Sequence, residues 1–139
     1  METAQLVQLL ESLTADERRR LKKWVRSPYF NQHEDVIRLF DFLYDPRQPY
    51  EKERAWRAVR PGGAPYDDAR MRHTMSWLTE AVRQFLIFEE LKLDGRRTGI
   101  LLAKSLARRG LEKYADRERA SIELDFANAE GRTFARFGS

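Results

Sequence analysis

Cysteine is absent from the 139 residues, which removes disulfides, thiolate metal sites and cysteine nucleophiles together. Histidine occurs only as His33 and His73, with no ligand-type residues at matching spacing, so neither a metal nor a cofactor is expected. No apolar run approaches the ~18 residues that a membrane span needs. The stretch from Met1 to Leu13 lacks the basic region and apolar segment of a secretory signal. Together these absences predict a cytoplasmic chain without membrane contact. Sustained period-two alternation of β-branched residues is missing as well, so the expected fold class is all-α.

Apolar residues make up 42% of the chain, enough for a real core, and charged residues make up 35%, well above the usual quarter. Such a balance describes helices with charged outer faces, and the length suits one domain. Lys and Arg number 26 against 22 Asp and Glu. The signs are interleaved along most of the chain, so opposite charges cancel within about a Debye length, ~8–10 Å. One basic cluster stands out: Arg18, Arg19, Arg20, Lys22, Lys23 and Arg26.

The helical pattern can be followed from end to end. Leu6, Leu9, Leu10 and Leu13 form a stripe at i, i+3, i+4 and i+7. Thr14 and Glu17 read as a capping box for a second helix, with Leu21, Trp24 and Val25 as its buried edge and Pro28 as its stop. Asn31 with Glu34 suggests another capping box, and Tyr29 and Phe30 are expected to tuck under the first two helices. A third helix, from about residue 32 to 44, turns Val36, Ile37, Phe40, Leu43 and Tyr44 inward, with Leu39 and Phe42 widening the stripe. A short fourth helix, 50–59, carries Ala55, Trp56 and Val59, and residues 61–65 form a Pro/Gly loop.

Asp67 then caps a long fifth helix, 67–93. It has a main stripe of Met71, Met75, Leu78, Val82 and Phe85. A second row of Thr74, Trp77, Ala81, Phe88 and Leu91 implies burial on two sides. Asp94-Gly95 reads as its stop. A helical hairpin, 96–130, follows, turning at Gly110. The expected organisation is one domain over 1–130, a bundle (1–95) built around helix 67–93 with the hairpin packed on it, and a flexible tail over 131–139.

The run Leu21-Lys22-Lys23-Trp24-Val25-Arg26-Ser27-Pro28-Tyr29-Phe30-Asn31, followed by Leu39-Phe40-Asp41-Phe42-Leu43, carries a resemblance. So does Pro65-Tyr66-Asp67-Asp68-Ala69-Arg70-Met71-Arg72 with Ser76-Trp77-Leu78 and Phe85-Leu86 after it. Over roughly residues 10–130 the chain resembles the N-terminal region of a family of bacterial proteins bearing an SPYFN signature, to which no function is assigned. The resemblance implies a largely helical protein, and either a short member or the N-terminal part of a longer one. It supplies no activity and no site residue. The hairpin is similar in length to a tetratricopeptide-type unit, ~34 residues, but lacks that unit's Trp, Gly and Pro signature.

Candidate chemistry is sparse. The carboxylate pairs Glu34-Asp35, Asp67-Asp68 and Glu89-Glu90 do not converge, because adjacent helical residues point about 100° apart. The first two pairs suit helix capping and surface roles in opening turns. The Pro61–Pro65 loop lacks the strand and Lys-Ser/Thr of a phosphate loop. The basic cluster Arg18–Arg26 is the best candidate for a nucleic-acid or acidic-partner contact, weighed against a plain solvated helix back. A winged-helix-like order of 32–44, 50–59 and 67–93 offers an alternative face of Arg70, Arg72, His73, Ser76 and Arg83, opposed by Asp67-Asp68 and by the missing wing. The expected function is therefore non-enzymatic: a helical protein–protein interaction or adaptor domain, with a partner protein or self-association. A nucleic-acid-binding regulator is the alternative.

Overall fold

The computed structural model describes the backbone of residues 2–28, 33–45 and 49–137. It forms α1 (Glu2–Glu11), α2 (Ala15–Arg26), α3 (Glu34–Leu43), α4 (Lys52–Val59), α5 (Asp68–Leu93), α6 (Gly95–Arg108) and α7 (Glu112–Phe137). No strand occurs among the described residues, and the fold is all-α. The chain divides into two units, Met1–Ile87 and Phe88–Ser139, and the division falls inside α5.

In the first unit the sequence periodicities become a single core. Leu6, Leu10 and Leu13 from the α1 segment meet Leu21 and Val25 of α2, Val36, Leu39, Phe40 and Leu43 of α3, and the main stripe of α5. The capping box at the start of α2 is complete: the Glu17 backbone N–H donates to Thr14 Oγ1 at 3.1 Å, and the Thr14 N–H donates to Glu17 Oε1 at 2.9 Å. α2 stops at Arg26 because Ser27, ahead of Pro28, takes an extended conformation. Trp24 is half-buried, edge-on to Phe85 at 6.1 Å between ring centroids.

α3 starts at Glu34 with His33 in the cap position and no side-chain cap hydrogen bond. The expected start near residue 32 is therefore shifted. Asn31, Tyr29 and Phe30, with the contacts anticipated for them, lie outside the described residues. The loop after α4 places Gly62 at φ +110 and Gly63 at φ +76, a backbone region that favours glycine. Trp56 Nε1–H donates to the Ala64 carbonyl at 2.9 Å and ties that loop to α4. Asp67 caps α5 as expected, its Oδ1 accepting from the Arg70 N–H at 3.1 Å.

The main stripe of α5 is buried, but its second row is not. Thr74 is buried, Ala81 and Leu91 are half-buried, and Trp77 and Phe88 are 44% and 45% exposed. Two apolar rows were expected to mean two buried faces; the second row is instead buried only at Thr74, with Trp77 and Phe88 left about half in solvent.

The second unit is dominated by the pairing of α6 and α7. Asp94 does not simply stop α5. It caps α6, accepting from the Arg97 N–H at 3.0 Å, and Gly95 is already helical. Gly110, at φ +78, ends α6 with its N–H on the Ala107 carbonyl and the Leu111 N–H on the Leu106 carbonyl, the paired closure that a left-handed residue permits. α7 runs on to Phe137, past Gly131, where a tail was expected to begin. An interior glycine costs a helix only about 1 kcal/mol against alanine and does not by itself end it.

Candidate interaction surfaces

The cluster Arg18–Arg26 lies on α2, whose apolar edge is committed to the core. Arg19, Lys22, Lys23 and Arg26 stand at i, i+3, i+4 and i+7 and so share one face. With Arg20 and Asp16 they line an open groove of about 640 Å³, bounded by Tyr44 beyond the end of α3. Arg19 is paired with Asp16 and Arg26 with both carboxylate oxygens of Asp41. The Lys22 ammonium sits 5.3 Å from the centre of the Tyr44 ring, and Tyr44 is braced edge-on against Phe40 at 5.7 Å. α2 holds six basic and two acidic side chains, so the rest of the chain carries 20 of each sign. α6, with four basic and no acidic side chains, has the same net charge of +4; α2 differs in packing six cations into the nine residues from Arg18 to Arg26.

The alternative face on α5 is broken up by its own partners. Arg70 donates from Nε at 3.1 Å, and its Nη2 lies 3.0 Å from Oδ2 of Asp35. Arg72 pairs with Asp68 at 3.0 Å and Arg83 with Glu80 at 3.9 Å. His73 leans on Trp77 at 6.1 Å, while His33 stacks flat on the same indole, 4.1 Å between centroids and 6° from parallel.

Asp35 corrects the expectation that the opening acids of α3 serve only as surface caps. Glu34 does remain outside, paired with Arg38 at 3.1 Å. Asp35 is only 8% exposed and, besides Arg70, is ion-paired with the Arg60 Nη2 at 3.2 Å, with Arg38 3.9 Å away. One carboxylate thereby links α3, the end of α4 and α5. The signal was present in the spacing, since Asp35 stands four residues before Leu39, on the edge of the buried stripe.

In the second unit the helices approach through small residues. A Cβ added at Gly99 would lie 2.7 Å from Ile122 Cγ1, and Ala103 and Ala115 are buried. The Arg96 guanidinium lies over the Phe126 ring at 4.4 Å. The larger apolar side chains are left outside: Leu101 and Leu102 are 47% and 46% exposed, and Leu111, Tyr114, Leu124 and Phe126 are also exposed. The helical stripe of the sequence did not reveal this, because periodicity cannot say which side of a helix its neighbour takes.

Among the described residues no group of three or more His, Asp or Glu side chains is placed to hold a metal ion, and no helix is long and apolar enough to cross a membrane. Comparison of the chain with family models, curated proteins and solved structures finds no match.

Proposed function

We propose that the chain is a non-enzymatic helical adaptor whose α6–α7 hairpin docks on the surface of another protein, as a module of a longer helical scaffold. One observation carries this reading. Ile100-Leu101-Leu102-Ala103 sets an apolar side chain about every 100° around α6, and of these only Ala103 is buried. A turn that is apolar all round is suited to burial on several sides, and the close approach at Gly99 with the burial of Ala103 engages one. Exposed leucines beside Tyr114 and Phe126 have the make-up of an interface core.

The test is affinity capture with the tagged chain and with Leu101→Glu/Leu102→Glu as matched bait, followed by calorimetry on any partner identified. A partner bound by the first and at least tenfold weaker on the second supports the reading. Identical recovery with both baits, or a partner whose affinity ignores the two leucines, removes it.

A further inference from the structure

The α2 groove lies in the first unit and takes no part in the reading above. We propose that it binds the backbone of a single-stranded nucleic acid through four phosphate contacts, one each from Arg19, Lys22, Lys23 and Arg26. Three observations converge on this site. First, α2 concentrates six basic side chains within the nine residues from Arg18 to Arg26, and a dense run of like charge on one helix draws polyanions to it. Second, the cations form a file. Arg19, then Lys22 and Lys23, then Arg26 follow one another at about 5–6 Å per helical step, and the file extends about 10 Å along the helix axis.

Third, the charges are held differently along that file. Asp16 fixes Arg19 at one end and Asp41 fixes Arg26 at the other, so both guanidiniums are pre-oriented while keeping donors on their remaining N–H groups. Lys22 and Lys23 between them make no ion pair with a described residue, and their ammonium groups are the ones that lack a counter-charge. Arginine forks and lysine point charges are the two groups that recognise phosphate best. The same two carboxylates narrow the ligand: they repel an anion placed beyond either end of the file, which limits the site to a short run of phosphates.

The aromatic ring beside the cations favours one strand over two. The basic side chains of α2 line an open groove with the Tyr44 ring at its edge. A duplex is recognised by an element that enters its groove, whereas a single strand can lie within a basic channel beside an aromatic ring.

The experiment is fluorescence anisotropy of the full chain with a labelled 15-nucleotide oligothymidylate between 50 and 200 mM salt. Binding is expected, with log K falling against log salt at a slope of about −3 for four phosphate contacts. Lys22→Gln/Lys23→Gln should weaken it at least tenfold at 50 mM salt and reduce the slope to about −1.5. Lys104→Gln/Arg108→Gln, which removes equal charge from α6, should change it less than twofold. Circular dichroism of each variant confirms that the fold is kept. No binding at 50 mM salt overturns the proposal, as does equal weakening by the α6 variant. Tighter binding of a 15-base-pair duplex overturns it in favour of duplex, and tighter binding of polyglutamate in favour of an acidic protein.

Discussion

The Arg70 guanidinium reaches from α5 onto Oδ2 of Asp35 through both Nε and Nη2, at 3.1 and 3.0 Å. With Arg60 on the same oxygen, the pair joins three helices of the first unit at a point where the apolar core gives way to solvent. Removing the carboxylate leaves the arginines facing each other with no counter-charge. Asp35→Asn is expected to lower stability by roughly 1–3 kcal/mol, less than for a fully buried pair because the arginine side chains remain partly hydrated. Arg60→Ala alone should cost less than about 1 kcal/mol, since Arg70 stays in place. Urea denaturation of the two variants measures the difference, and equal losses would contradict the central role given to Asp35.

The contact of Gly99 with Ile122 makes a second prediction. Gly99→Leu has no room, because even a Cβ would stand 2.7 Å from Ile122 Cγ1, and it should loosen the α6–α7 pair by roughly 2–3 kcal/mol. Gly99→Ala gains about 1 kcal/mol of helix propensity and loses a similar amount to overlap. Combined with Ile122→Ala, which clears both clashing atoms, the two changes should couple favourably by about 1 kcal/mol. Amide hydrogen exchange in α6 reports the result, and strict additivity would mean that the helices do not meet there.

Tyr50 sets an alkaline limit. Burial raises its phenol above the ordinary value of 10.0, the nearby Tyr66 raises it further, and a hydrogen bond with Thr3 acts in the opposite direction. The folded state therefore holds the Tyr50 proton more tightly than the unfolded state does. The stability this confers is complete below about pH 10 and declines as pH rises past that value, where the unfolded chain releases the proton first. Chemical denaturation from pH 8 to 11 should show the decline, and Tyr50→Phe should make it shallower. An unchanged slope in the variant would assign the alkaline loss elsewhere.

Leu101 and Leu102 should be dispensable for folding. Because about half of each is in solvent, Leu101→Glu/Leu102→Glu is expected to leave the unfolding free energy of the isolated chain within about 0.5 kcal/mol of the original. A loss of several kcal/mol would show that these side chains serve the fold and would leave the docking surface without its anchors.

Local features were legible from residue order because they depend on near neighbours alone. The Thr14–Glu17 box, the stop before Pro28, the cap at Asp67 and the left-handed Gly110 each need only a few adjacent residues and a backbone preference. The main stripe of α5 was legible for a related reason, since five apolar side chains on one face must leave water together. The second row of α5 did not become a second buried face, because spacing alone does not fix how much of Trp77 and Phe88 is covered, and both stay about half in solvent.

The sequence by itself determined that the chain is helical, roughly where each helix starts and stops, and that α2 holds its densest cluster of cations. Only the tertiary structure decided that Asp35 is enclosed by arginines from three elements, that Arg70 turns inward to it, that the basic face of α2 lines a groove against Tyr44, and that α6 meets α7 closely at Gly99 while Leu101 and Leu102 stay exposed. Periodicity fixes the direction in which a side chain leaves its own helix. What waits there is set by residues distant in the chain, and their arrival depends on how all the apolar faces are satisfied at once.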